Sequence, residues 1–365
     1  MKILHTESSF GWGGQEIRIL NESLGMQKLG HEVVFAAAKG SGLERNARKH
    51  GFKVYEVSFK RPFLLFTFLR LLFILKKEHI DIVNTHSSLD SWTAGFAARF
   101  SQKKIVRTRH LSTAIKKGLN SRLLYNFLAD FVVTTSSSII PMICKQAKLS
   151  PFAIRCIPTG VDPSKVESKE DLVLTFREKL GVKPEDILVG TTCFVRSWKG
   201  IDDFMKAALL LKEESHIKWV VVGGGHVEKY IEKAALMGLK DHVIFTGHLE
   251  CPYHAISAMD IFALLSTAHE GISQASLQAA FLKRPLITTT IGGLPEVCLH
   301  CKTGLQVQPF SPEQVRDAVL ELAKDAQKRL SYGELAHDLV KEKFTFDKTL
   351  SGMESVYAQI LSSLG

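Results

Sequence analysis

The chain has 365 residues, more than one hydrophobic core usually sustains, so two domains are expected. Its 45% hydrophobic and 23% charged residues exclude a disordered or fibrous chain, and 11 Pro with 26 Gly form no low-complexity linker. The net charge of +10 is uneven: residues 1–160 carry 24 Lys and Arg against 10 Asp and Glu, the remainder 23 against 27.

A basic half beside a mildly acidic one points to an anionic partner for the first half. Neither a zinc-finger spacing nor an aromatic–basic run of the RNA-binding kind occurs, so nucleic acid is not expected, and anionic lipid or a phosphorylated acceptor fits better. The first residues pass to His5 and Glu7 without the apolar core of an export signal. Residues 62–75, the longest apolar run, are broken by Arg70 and fall short of the ~20 residues of a membrane span. A cytoplasmic protein, peripheral on the inner membrane face, is the expectation.

In chain order, strand-like runs fall at residues 2–5, 32–37, 80–85, 105–109 and 131–135, with amphipathic stretches between them. The first such stretch, residues 15–29, is closed by Gly30. Where the first strand gives way to it lies Gly11-Trp12-Gly13-Gly14-Gln15-Glu16, whose glycines permit close approach and whose free amides suit a phosphate. A tight turn explains it equally well, and the third glycine of the dinucleotide fingerprint is missing. Residues 60–77 combine five cations with eleven large apolar residues, the pattern of a helix lying on an anionic bilayer or of a core helix with basic ends. His86 and His110 each follow a strand. For both, a structural role is the simpler reading from position alone.

After Cys156-Ile157-Pro158-Thr159-Gly160-Val161-Asp162 the rhythm restarts, with strands expected at residues 188–195, 218–222, 243–246, 261–265 and 286–289. Alternating strands and helices imply parallel sheets. Two in tandem imply two doubly wound domains facing a central cleft, with ligand outside the carboxyl ends of the strands. In the second half Arg196 and Lys199, at a strand end, suit a diphosphate and its leaving charge. Gly223-Gly224-Gly225 reads as a nucleotide-contacting loop or a plain turn. Glu270-Gly271-Ile272, a helix through Gln278, a strand and Gly292-Gly293-Leu294-Pro295-Glu296 together outline a pocket for hydroxyls and phosphates. No cation near Glu270 in sequence offers it a structural partner. Cys298-Leu299-His300-Cys301 lacks a second ligand pair, so the six cysteines read as surface or loop thiols and no metal site is expected. The tail is helical in pattern, and residues 344–365 are expected to pack back on the first domain.

Assembled, these residues make the chain resemble the large retaining glycosyltransferase family numbered four, of GT-B fold, over essentially its whole length. The carriers are Gly13-Gly14, Gly30-His31-Glu32-Val33, Pro158 to Asp162, Arg196 with Lys199-Gly200, Val222 to Gly225, Glu270-Gly271-Ile272 and Gly292 to Glu296. The resemblance implies that the Gly13 and Gly14 amides meet the donor phosphate and that Arg196 and Lys199 neutralise the diphosphate. It implies that Glu270 and the backbone of Gly271 and Ile272 hold the transferred sugar, which His110 also contacts. Two departures stand out. The second acid of the family's E-x7-E pair is Gln278, the position that grips the ribose, and the arginine five residues before the lysine is Phe194. The Arg-Ser-Trp-Lys-Gly variant resembles lipopolysaccharide and cell-envelope enzymes.

The implied function is metal-independent, retaining, same-face transfer from a nucleoside diphosphate sugar, as co-substrate and without a cofactor, to an envelope glycan or glycolipid. The domains are expected at residues 1–160 (acceptor side), 161–343 (nucleotide-sugar side) and 344–365. A sugar-nucleotide epimerase or phosphorylase on the same architecture, or a non-catalytic nucleotide-sugar-binding protein, are the alternatives.

Overall fold

The computed structural model describes residues 1–110 and 113–362. It separates into two compact units, one of Met1–Thr159 with the chain from Asp347 onward, the other of Gly160–Phe346.

The first unit carries seven parallel strands: β1 (Lys2–Glu7), β2 (Glu32–Ala38), β3 (Lys53–Val57), β4 (Ile82–Thr85), β5 (Lys104–Arg109), β6 (Phe131–Thr134) and β7 (Ile154–Cys156). Their order is β3-β2-β1-β4-β5-β6-β7, so the connections leave in opposite directions from between β1 and β4. The second unit repeats the plan with β8 (Ile187–Thr192), β9 (Ile217–Val222), β10 (Val243–Gly247), β11 (Ile261–Leu264), β12 (Leu286–Thr289) and β13 (Gly304–Val307), ordered β10-β9-β8-β11-β12-β13. Its reversal lies between β8 and β11. Successive residues feed opposite faces: Ile187 and Val189 join one apolar cluster, Leu188 the other. Both faces of this sheet are therefore covered, and its central strands are largely apolar on both sides.

Strands β3, β7 and β13 are absent from the sequence-based reading, and all three are sheet edges. An edge strand pairs on one side only, and its polar residues (Lys53, Glu56, Arg155, Gln306) blur the apolar run. The first strand-like run of the second half also ends earlier than expected: β8 stops at Thr192, and residues 193–195 leave the sheet as a loop.

Residues 60–77 form a 3-10 turn (Arg61–Phe63) and a helix (Leu64–Lys77). Leu71, Ile74 and Leu75 enter the core with Val57, Phe59 and Ile80, while Phe63, Leu65, Phe66, Leu69 and Phe73 stay more than half exposed. The helix is thus a core element on one stripe and an apolar surface on the other. Among the described residues no helix is long and apolar enough to cross a membrane.

The returning helix begins at Phe346, two residues later than the expected start, because Phe344 is buried in the core of the second unit. Thr349, Leu350, Met353, Val356, Tyr357 and Ile360 form its buried stripe at helical spacing. Leu350 lies where a side chain on Gly25 would sit, so the absence of a Cβ there admits the helix against Gly14–Lys28. The Tyr357 hydroxyl donates to Glu22 at 3.0 Å and accepts from Asn84 at 2.8 Å, satisfying polar groups in the middle of that contact.

Candidate active site

In each unit the polar residues concentrate at the carboxyl ends of the strands beside the reversal, where an open α/β sheet leaves a crevice.

In the first unit, β1 ends His5-Thr6-Glu7, all fully buried. His5 Nδ1 lies 2.8 Å from His86 Nε2, and His86 Nδ1 lies 3.0 Å from His110 Nε2, a continuous chain of imidazoles crossing β1, β4 and β5. Asp90 anchors its centre: one carboxylate oxygen accepts from the His86 amide at 2.9 Å and from the Thr6 hydroxyl at 2.9 Å. Burial lowers the pKa of all three histidines, that of His5 to about 3, so the rings are neutral near pH 7. Burial acts oppositely on Asp90, and with the nearby Glu7 charge raises it to about 8. Glu7, also raised by burial, accepts from the Ser9 amide at 2.7 Å, from Ser87 Oγ at 2.5 Å and from Gln15 Nε2.

Sequence placed His86 as structural and His110 as a lone histidine; the fold makes them neighbours. His5, Glu7 and Asp90 were missed. The signal that existed was polar residues closing otherwise apolar strands, as in His5-Thr6-Glu7 and Asn84-Thr85. The glycine loop also differs from expectation. The Gly13 amide is not free but donates to the Glu16 carboxylate at 2.9 Å, the one half of a capping box that a glycine N-cap permits at the start of Gly14–Lys28. Gly14 has open space on its Cβ side.

In the second unit the loop after β8 carries Arg196 and Lys199, and the loop after β11 carries Glu270. Glu270 is buried and holds two partners, Lys199 Nζ and Ser266 Oγ, the latter at 2.6 Å. No cation near Glu270 in sequence offered it a partner, and the one the fold supplies lies 71 residues away in sequence. Contacts between loops impose this geometry. Gly200, at φ 71°, lies so close to the Leu265 carbonyl that a Cβ would stand 1.9 Å from its oxygen. Gly292, at φ 58°, bears the same relation to the Glu270 carbonyl, at 1.8 Å, and a Cβ on Gly293 would stand 2.8 Å from the Ile272 amide nitrogen. The Thr267 amide donates to the Trp198 carbonyl at 2.8 Å, and His269, before Glu270, takes a left-handed φ of 60°.

Arg196 is exposed, its guanidinium 4.6 Å from the Phe194 ring centroid and 5.3 Å from that of Trp198. Phe194, which departs from the expected arginine, so serves as a platform for the cation. Among the described residues Arg196 does not pair with Glu270. Gly271 is half-buried, Ile272 joins the apolar core, and Gln278 is half-buried on the helix Gln274–Phe281. Gly223 and Gly225 are committed to the loop after β8: a Cβ on Gly223 would meet the Cys193 carbonyl oxygen at 1.8 Å, and one on Gly225 the Val195 carbonyl oxygen at 2.5 Å. The Gly224 carbonyl accepts from the Val195 amide at 2.7 Å. The plain-turn reading thus has contacts to account for all three glycines. Cys298 is no surface thiol. It is buried, and its Sγ faces the Leu286 and Leu305 carbonyls at 3.7 and 3.6 Å, while Cys301 is exposed.

Residues 12–165 match the model of Glycosyltransferase Family 4, and residues 186–325 that of Glycosyl transferases group 1, so the two between them span most of the chain. The N-acetyl-alpha-D-glucosaminyl L-malate synthase of Bacillus anthracis is 25% identical over 94% of this chain and 93% of its own. The O-antigen chain mannosyltransferase C of Escherichia coli is 24% identical over the full length of both. Anabaena Alr3699/HepE, solved in complex with UDP, superposes with a TM-score of 0.86 over the full length of both chains at 18% identity, a likeness of GT-B fold.

Proposed function

The chain belongs to the family 4 and group 1 glycosyltransferases, and on that premise we propose that it moves a sugar from a nucleoside diphosphate sugar to an envelope glycan or glycolipid, with retention of anomeric configuration. The observation that carries the reading is the Lys199–Glu270–Ser266 cluster at the reversal of the second sheet. A buried carboxylate there can accept from sugar hydroxyls, and an ammonium beside it can oppose the charge that develops on a departing diphosphate. Arg196 adds a second cation from its aromatic platform. In the first unit the Gly14 end of the helix offers amides for phosphate, with the Gly13 amide available once Glu16 releases it.

The step is a same-face exchange. The bond from the anomeric carbon to the phosphate oxygen breaks, the acceptor oxygen bonds to that carbon on the same side, and the acceptor proton passes to the leaving phosphate. Charge on the leaving group is met by side chains and amides, without a cofactor or metal in the proposed route. Relatives named O-antigen chain mannosyltransferase C and N-acetyl-alpha-D-glucosaminyl L-malate synthase, each matched over more than nine-tenths of both chains, support transfer as the reaction, and the Anabaena complex supports UDP among the donors to be tried first.

A membrane-borne acceptor is favoured by the helix Leu64–Lys77, where an exposed row of Phe63, Leu65, Phe66, Leu69 and Phe73 is flanked by Arg61, Arg70, Lys76 and Lys77. A thermal-shift panel of UDP-, GDP- and ADP-sugars should single out one donor, since a ligand at 100-fold its dissociation constant adds about 2.7 kcal/mol. Transfer from that donor into a lipid extract should yield a product of unchanged anomeric configuration. An inverted product, or a changed sugar still attached to nucleotide without acceptor, would overturn the reading, the latter in favour of an epimerase. Vesicles containing phosphatidylglycerol should retain the protein at low salt, and Arg61→Glu with Arg70→Glu and Lys77→Glu should release it. Indifference of the wild type to such vesicles would point to a soluble acceptor.

A further inference from the structure

Resting on the reading of His110 as a contact of the transferred sugar, we propose that His5 and His86 are positioning residues that hold His110 as its Nδ1–H tautomer, so that it donates a hydrogen bond to a sugar hydroxyl oxygen.

A neutral imidazole has one N–H and one bare nitrogen, and each link of the chain needs one of each. The two links, His5 Nδ1 to His86 Nε2 and His86 Nδ1 to His110 Nε2, therefore tie the three rings to one common choice. Either every ring is protonated on Nδ1 or every ring is protonated on Nε2. The His5 and His86 rings lie within 13° of coplanarity, which suits in-plane bonding, and Asp90 fixes His86 from its backbone side.

The end of the chain breaks the tie. His5 Nε2 is buried and meets no polar partner among the described residues. Orphaned buried N–H groups are rarer than under-satisfied acceptors, so this nitrogen is the bare one. His5 then donates from Nδ1 to His86, and His86 donates from Nδ1 to His110. The proton of His110 is left on Nδ1, the nitrogen outside the chain, on the partly exposed ring. A histidine so fixed is a donor with no lone pair to offer at that atom. It would donate to a hydroxyl oxygen and reject a group that can only donate.

Nitrogen-15 histidine labelling of the full-length protein, with long-range proton–nitrogen correlation spectra near neutral pH, reads the tautomers before any donor is added. Signals are assigned through His5→Asn, His86→Asn and His110→Asn. All three rings protonated on Nδ1 is the expected result. His110 protonated on Nε2, a mixture of tautomers, or an imidazolium would overturn the proposal. His5→Asp places an acceptor-only group against His86 and should turn His110 to the Nε2–H form and weaken donor affinity about tenfold, a loss of about 1.4 kcal/mol. Should that variant not fold, the wild-type spectrum still decides the tautomer. His110→Ala with undiminished donor affinity would overturn the sugar contact, a failure of the underlying reading that the tautomer spectra separate from failure of the chain.

Discussion

The two sheets share one strand order and differ in what they place at the reversal. The first closes β1, β4 and β5 with neutral polar groups bonded to one another, buried His5 and His86, a partly exposed His110 and an Asp90 whose pKa is raised to about 8. The second brings a cation and an anion together, Lys199 and Glu270, and fixes them by backbone contacts that only glycine allows at 200 and 292. Topology provides the crevice, while its chemistry rests on which side chains close the strands. A neutral network is held by hydrogen-bond direction; an ion pair is held by charge and close packing.

The sharpest break in that comparison is Glu270→Ala. It removes the proposed sugar-holding carboxylate and strands Lys199, so transfer should fall by more than about 100-fold. Breaking a buried pair costs about 3–5 kcal/mol, and the lower end applies because Lys199 retains some solvent contact. Thermal unfolding beside an activity assay measures both effects. Glu270→Gln, which keeps an oxygen for Ser266, should lose activity with a smaller stability loss. Wild-type rates in either variant would remove Glu270 from the site.

Next come the glycines. Gly200→Ala must adopt a positive φ and displace the Leu265 carbonyl, so a loss of about 1–3 kcal/mol together with weaker donor binding is expected. Gly14→Ala, with open space on its Cβ side, should change stability by no more than about 0.5 kcal/mol. Equal losses in the two variants would erase the contrast drawn between the loops.

The pH dependence of stability sharpens the comparison from the first unit. His5 titrates near 3 in the fold against 6.5 in a free chain, so its contribution is complete above about 6.5 and is lost as pH falls toward 3. His86 and His110, lowered by the same burial, act in the same direction. Asp90, raised from 3.8 to about 8, has the opposite sign: its contribution is complete below about 3.8 and is lost as pH rises toward 8. Melting curves across that range should show a shallower acid arm for His5→Phe and a shallower alkaline arm for Asp90→Asn. Unchanged arms in both variants would mean that these groups do not govern the pH response.

The smallest expected effect is Gln278→Glu, a gain of a few-fold in donor affinity if the half-buried residue faces a ribose, because a carboxylate makes the stronger bonds to hydroxyls. Weaker binding would place an anionic neighbour at that position.

By itself the sequence determined the central strands, the two-unit plan and the loops that carry Gly14, His110, Lys199 and Glu270. These are written locally, as apolar runs bounded by turn residues. Of the four edge strands only β10 was legible; β3, β7 and β13 were not, because one-sided pairing leaves room for Lys53, Glu56 and Gln306 in the pattern. Nor was the division at Phe344, where a core residue and a helix start stand two positions apart. Partnerships belonged wholly to tertiary structure. His5 meets His86 across 81 residues and Lys199 meets Glu270 across 71, because β1 lies beside β4 and β8 beside β11. Strand order is fixed by the packing of whole helices and sheets, and no local pattern in the chain encodes which strand ends become neighbours.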